Sequence, residues 1–220
     1  VLEQQERGAR YHLDRCDATA TAGGQGWSLK GAKSIVPAGD QADAFIVSAK
    51  IGDQIALFLV PRAAAGVTTR GYGTQDGARA AEVVFKNAAA SLITTDGLTA
   101  LEHAVDIGIA ASCAEAVGVM DKTMAITAEY MNTRKQFGVA IGTFQAVKHH
   151  LADAAMKLRF AAPVVYAAAW ELSTGAPTAS RTVSTAKALA SDAARFTAVQ
   201  ALQCHGAIGY TTEYDLHLYL

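Results

Sequence analysis

Several short stretches of this sequence group side chains and glycines as a binding site groups them. The first is RKQFG, Arg134 to Gly138, with Phe144-Gln145 following. A guanidinium such as that of Arg134 holds a phosphate through two parallel hydrogen bonds, which the ammonium of Lys135 cannot copy. An arginine at a helix end also serves simply to complement the macrodipole, and for Arg134 taken alone that is the favoured reading. The second is Gln203-Cys204-His205-Gly206-Ala207, with Gly209 beyond it. Glycine admits positive φ and lets backbone approach a ligand closely. An ordinary glycine C-cap explains Gly206 but not the Gln203 and His205 before it. His149-His150 invites a metal, which helix geometry rejects: adjacent residues point about 100° apart and cannot chelate one ion together. One of the two is expected to face Asp153. His103, His205 and His217 have no ligand-spaced companions and read as core or interface residues.

The elements that must position these groups follow from the patterning of 220 residues, 51% of them hydrophobic. Up to about Phe85 the chain reads as β-structure. DATATA at 17–22 alternates with period two, GGQG at 23–26 supplies a tight turn, and Trp27 to Leu29 resumes the strand. AFIVSA at 44–49, IALFLV at 55–60 and AAEVVF at 80–85 are further strands, and a small antiparallel barrel or sandwich is expected. The loop Gly31 to Asp43, GAKSIVPAGDQAD, reads as a turn between two of them. After Asn87 the period changes to one near 3.6. A helix is predicted over about Gly97 to Thr133, with Val105, Gly108, Ala111 and Ala114 on its packed face. A second starts at a Gly142-Thr143 cap, carries Phe144, Val147, Leu151 and Leu158 on one stripe, and should kink or break at Pro163. A third runs from about Ala179 to Cys204, and a last begins near Glu213. The class is α+β: a β-domain over residues 1–92, then an antiparallel helical bundle over 93–220.

Composition limits the partners. A net charge of −1 lacks the surplus of Lys and Arg that phosphate-backbone binding needs, which argues against nucleic acid. Contiguous apolar runs such as Phe160 to Trp170 are far shorter than a bilayer span, no signal peptide opens the chain, and no membrane association is expected. Cys16, Cys113 and Cys204 are odd in number and widely separated, implying neither a disulfide framework nor zinc, and a cytoplasmic location fits. The sequence opens at Val1 without Met and stops at Leu220 with no helix-stop signal, so it is expected to be part of a longer polypeptide.

Taken with their order and spacing, Arg134–Asp153 and the Gln-x-His-Gly-x-x-Gly-Tyr-Thr-x-Glu run from Gln203 resemble two signatures of the acyl-CoA dehydrogenases. The resemblance implies that family's β-barrel middle domain and C-terminal helical domain, without its N-terminal helical domain. It also implies bound FAD, α,β-dehydrogenation of an acyl-CoA thioester, an oligomer, and electrons passed to an electron-transfer flavoprotein. Arg134, Gln136, Phe137, Phe144 and Gln145 are then implied to hold the FAD diphosphate of a neighbouring subunit, and Gln203, Cys204, His205, Gly206 and Ala207 its adenosine part. Many members have Gly-Gly where this chain has Gly206-Ala207, a difference of one methyl. Ile35, Val36 and Pro37 match the segment that lies against the flavin ring. Members place an aromatic residue and then Ser or Thr there, and Pro37 has neither hydroxyl nor N–H.

The base that takes the α-proton has no counterpart in this chain. One family position lies just beyond Leu220, and the other matches Gly108 and Ile109, neither of which can act as a base. The arginine that commonly accompanies the base on that helix is also missing. Asp106, one turn earlier, matches a position near bound substrate, as Ile109 does, and is the weak remaining candidate; a solvated helix carboxylate explains it equally. This pattern, with EQQERGARY at 3–11 in place of Glu-Pro-x-x-Gly-Ser-Asp, resembles the small subunit of pimeloyl-CoA dehydrogenase and related heteromeric members. The alternatives are a non-catalytic subunit that completes a flavin site on another chain, and a flavin oxidase or monooxygenase on the same fold.

Overall fold

The computed structural model describes residues 1–24 and 26–220. They form two compact units, Val1–Ala104 and Val105–Leu220.

The first unit is built from β1 (Leu2–Glu3), β2 (Thr19–Gly23), β3 (Gly26–Pro37), β4 (Ala44–Ile51), β5 (Gln54–Pro61), β6 (Val67–Gly73) and β7 (Arg79–Thr94). Strand pairing runs β4-β2-β3-β7-β5 and returns to β4, closing a barrel, with β1 added on β4 and β6 on β7. The β1–β4 and β2–β4 pairings are parallel and the rest antiparallel. Closure leaves few free strand edges. Alternation places Phe45, Val47 and Ala49 of β4 inside, where Phe58 and Phe85 complete the core and Leu101 of the following helix enters it. Phe45 meets Phe85 edge-on, and Trp27 tilts against Phe58. The GGQG turn joins paired Gly23 and Gly26; its Gln25 lies outside the described residues.

Three β expectations change. Gly31–Pro37 is not loop but the second half of β3; only residues 38–43 turn. Strand β7 does not end at Asn87. That residue, at φ 56, is a bulge that shifts the β3–β7 register, after which pairing resumes at Ala88. Strand β6, VTTRGYG, is additional: its glycines and polar residues hide a strand that packs along only one side.

The second unit holds most of α1 (Gly97–Thr133), a hairpin of β8 (Lys135–Gln136) and β9 (Val139–Ala140), α2 (Gln145–Thr174) and α3 (Ala179–His205). Cys113 of α1 packs near Val165 and Ala168 of α2, whereas Met120 packs near Leu158 and Ala161, so these helices are antiparallel. Along α3, Val183 and Ala186 lie with the first group and Ala193 with the second, so α3 is antiparallel to α2. The inward face of α1 is Ala110, Cys113, Met120, Thr123, Thr127 and Met131, not the stripe from Val105 to Ala114. Small and apolar residues surround this helix, so periodicity does not choose a face. By length and composition α1 is apolar enough to cross a membrane, yet Glu102, Asp106, Glu115, Asp121 and Lys122 are spread along it.

Helix α2 runs unbroken through Pro163. The hydrogen bond proline cannot donate leaves the carbonyl of Arg159 free on an exposed stretch, where water can serve it. Its start is a 3₁₀ turn, Ile141–Thr143, with Phe144 at the N-cap and no side-chain cap, rather than a Gly142-Thr143 cap. The last segment is likewise a short 3₁₀ turn, Asp215–Tyr219.

Candidate functional site

Helix direction decides what meets what. With α2 antiparallel to both neighbours, the end of α1, the start of α2 and the end of α3 share one end of the bundle. Aromatic stacking locks them there: the Tyr130 ring lies 4.5 Å from that of His205, and Tyr214 closes on both at 5.6 and 5.0 Å. The Tyr130 hydroxyl donates to the His205 carbonyl at 3.4 Å. His205 Nδ1–H donates to the Ala201 carbonyl at 2.8 Å, and burial, outweighing that hydrogen bond, holds the imidazole below its ordinary pKa and so favours the neutral ring. The Cys204 thiol faces the Val147 carbonyl of α2, and His150 pairs with Gln200 of α3, not with Asp153. These contacts bring Arg134–Gln145 and Gln203–Ala207 together, although a long stretch of chain separates them.

Within this cluster the side chains divide. Cys204 and His205 are buried and face the bundle, so they can reach a ligand only through backbone. Arg134, Gln136, Phe137, Gln145, Gln203, Gly206 and Ala207 are exposed. Arg134 forms no ion pair among the described residues. Just after it, Phe137 and Gly138, at φ 51 and 82, make the two-residue turn of the hairpin. Both φ are positive, as a primed turn requires, and the turn holds the Phe137 ring almost wholly in solvent with its edge toward Phe144. Gly206 has φ 64, and a Cβ there would meet nothing within 4 Å, so its backbone is open to an approaching group. Gly209 serves packing instead: a Cβ would come within 2.9 Å of Leu202.

Asp106 and Ile109 lie on α1 in the same unit. Ile109 packs against the Cys113–Val165 cluster, Asp106 is half-buried with no ion pair among the described residues, and Gly108 is exposed.

The first unit contributes a second cluster. Between Lys33 and Val36 the β3–β7 register shifts, and Ile35 takes φ 54, an outlier for a β-branched residue. The bulge turns Ile35 outward beside buried Val36 and exposed Pro37. Strain of this kind collects at functional sites and persists only where its surroundings enforce it. Here the enforcement is visible. Ser34 N–H donates to the Gln5 carbonyl at 2.9 Å, tying EQQERGARY to the bulge. Below it, fully buried Lys33 donates to Glu6 at 2.7 Å and to Ser48 at 2.9 Å. Glu6 also accepts from the Asp17 and Ala18 N–H groups. Burial alone would raise the Glu6 pKa, but Lys33 and these N–H groups outweigh it and hold the carboxyl low. Glu3 is buried with neither oxygen paired. Burial pushes it to about 8 against the attraction of Lys33. The Glu6–Lys33 pair was not apparent from spacing, since nothing local marks a lysine bound for a barrel interior. A groove of about 650 Å³ beside the bulge is lined by Arg7, Asp17, Ser34, Arg70 and Glu82.

A closed barrel carrying a strained outward bulge is thus followed by a helical bundle with clustered helix ends. Family models match both units: acyl-CoA dehydrogenase, middle domain, over residues 5–88, and acyl-CoA dehydrogenase, C-terminal domain, over residues 95–220. The chain belongs to the acyl-CoA dehydrogenase family. The probable acyl-CoA dehydrogenase FadE25 of Mycobacterium tuberculosis is 32% identical over 220 residues, covering 91% of this chain and 55% of the relative. The chain thus spans about half the length of the curated relatives it matches. Among solved structures, butyryl-CoA dehydrogenase from Megasphaera elsdenii superposes with a TM-score of 0.90 at 26% identity, over 99% of this chain and 60% of that one. The ChsE4–ChsE5 complex from Mycobacterium tuberculosis gives 0.84 at 28% identity, over 100% and 58%.

Proposed function

We propose that this chain is a cytoplasmic subunit of an FAD-dependent acyl-CoA dehydrogenase that desaturates the α,β bond of an acyl-CoA thioester and passes electrons to an electron-transfer flavoprotein. The observation that carries the reading is the Tyr130–His205–Tyr214 stack, which gathers both motif segments at one bundle end. The donor set there suits a flavin dinucleotide: an unpaired guanidinium, exposed amides, two exposed rings and an open glycine backbone. Bound FAD would supply the hydride acceptor. Arg134 would hold the diphosphate bidentately, with Gln136 and Gln145 beside it and Phe137 and Phe144 excluding water. Gln203 and the Gly206-Ala207 backbone would take the adenosine part. Ile35 and Pro37 would lie against the ring system through apolar contact, and buried Val36 could meet it only through backbone, since Pro37 offers no donor.

No carboxylate stands at Gly108 or Ile109, and Asp106 would line the acyl site rather than take the proton. The base then comes from the family position just beyond Leu220, or an unlike chain completes the site, as in a heteromeric enzyme of the type of the pimeloyl-CoA dehydrogenase small subunit. The similarity to the ChsE4–ChsE5 complex agrees with that arrangement.

Arg134→Lys tests the cofactor part. Charge is kept but the fork is lost, and a hydrogen bond to a charged group contributes about 1.5–3 kcal/mol, so FAD affinity should fall roughly 10- to 150-fold. Flavin content after dialysis reads the result, and unchanged occupancy would return Arg134 to a helix-end role. Anaerobic bleaching of the flavin by acyl-CoA, with and without a homologous chain, reads the rest. Asp106→Asn should leave bleaching intact; its loss would make Asp106 the base.

A further inference from the structure

Of the buried groups in the Arg134–Gly206 cluster, His205 changes charge closest to neutral pH, since burial moves the Cys204 thiol upward and away. His205 is 4% exposed. Tyr130 stacks on its ring at an interplanar angle of 23°, Tyr214 abuts it at 48°, and the two tyrosine rings meet edge-on, so the three make one compact cluster. The 3₁₀ turn Gly206–Tyr210 folds back on the same side chain: a Cβ at Gly209 would come within 3.1 Å of the His205 Cβ. Nδ1–H is spent on the Ala201 carbonyl, but Nε2 is buried and has no partner among the described residues. A lone pair is tolerated there far better than an N–H⁺, which would be a buried charge with no acceptor.

The surroundings supply no counter-charge. Tyr130 comes from α1 and Tyr214 from the closing segment, both neutral in acid; burial, then Glu129, Tyr130 and Asp215, push Tyr214 higher still. Neither Glu129 nor Asp215 forms an ion pair with the imidazole among the described residues. From α2 come the Val147 carbonyl, facing Cys204, and His150, paired with Gln200. Tyrosine faces attract a cation, but less than the loss of solvation disfavours it.

We propose that His205 is a positioning residue that makes the hold of this bundle end on its cofactor depend on pH. With the ring neutral, the cluster fixes the end of α3, and the chain leaves the helix at Gly206, φ 64 and ψ −139, with its backbone open. A proton on Nε2 drives the ring out of the cluster toward water. The turn packed on its Cβ moves with it, and the Gly206-Ala207 backbone no longer faces a ligand. Phenylalanine would stack in the same place; only imidazole adds the switch. The inference rests on the reading of Gln203–Ala207 as the adenosine contact and adds its regulation.

Flavin fluorescence titration of the purified protein should show FAD affinity weakening roughly 3- to 30-fold from pH 7 to pH 5, at no more than tenfold per unit, as one proton allows. The folded ring has the lowered pKa, so affinity is full above 6.5 and is lost as pH falls below it. His205→Gln keeps a donor for the Ala201 carbonyl and has no proton to gain; its affinity, whatever the value at pH 7, should stay level to pH 5. Titration of His150 and of FAD itself is common to both proteins and cancels. A second measurement needs neither variant nor FAD: the near-UV dichroism of the clustered tyrosines should fade along the same pH curve while far-UV dichroism holds. Wild-type affinity that is level from pH 7 to pH 5, or a His205→Gln protein that weakens in parallel, would overturn the proposal. So would a constant near-UV signal. Failure to bind FAD at pH 7 would instead remove the cofactor reading, and the near-UV curve would still decide whether a proton on His205 opens the cluster.

Discussion

Lys33→Met is expected to destabilise the barrel by about 3–5 kcal/mol, because it leaves the Glu6 carboxylate buried without its counter-ion. The Asp17 and Ala18 N–H groups would still serve Glu6, which places the loss within that range rather than above it. The double variant Lys33→Met/Glu6→Gln removes both charges and should recover most of the stability. Urea unfolding of the wild type, both single variants and the double variant gives the coupling directly. A Lys33→Met protein as stable as the wild type would mean that water reaches the pair. The same contact also bears on the bulge. Lys33 sits two residues before Ile35 on β3, and loosening the pair would release the strained bulge that aims Ile35 and Pro37 outward.

A second large effect is expected from Glu3→Gln, as a change in how stability depends on pH. Folding raises the Glu3 pKa from 4.5 to about 8. Below pH 4.5 the carboxyl is protonated folded or unfolded and contributes no slope. Between those values the unfolded chain releases a proton that the folded barrel keeps, so stability falls as pH rises, by at most ~1.4 kcal/mol per unit, and levels off above 8. Glu3→Gln should match the wild type near pH 4.5 and exceed it by several kcal/mol at pH 8.5. His205, whose pKa burial lowers, has the opposite sign: its contribution is lost as pH falls below 6.5. That term is common to both proteins and cancels in the difference. Parallel pH profiles for the two proteins would show that Glu3 is solvated.

Reading from sequence succeeded where the physics is local. Short apolar runs bounded by Gly, Asp or Pro located β4 and β5 almost to the residue, and the 3.6 period located α1 and α3, because turn residues and helical spacing act locally on the backbone. The Arg134–Gln145 and Gln203–Ala207 groups were legible as motifs for the same reason, each being contiguous. Elements whose character depends on a distant neighbour were not. Strand β6 exists because β7 offers it an edge, β7 outlasts Asn87 because β3 continues to pair with it, and α2 survives Pro163 because its bundle face packs through it.

By itself, then, the sequence determined most of the strand and helix segments, and which residue types could serve phosphate and ring binding. Tertiary structure alone decided which of them share a surface. Only the antiparallel course of α2 brings Arg134 and Gly206 to one end, and only the Tyr130–His205 stack turns Cys204 and His205 inward while leaving Gln203 and Gly206 open. Likewise only barrel closure buries Lys33 against Glu6. The cost of burying a charge is set by groups that other strands bring to it, and no local pattern records them.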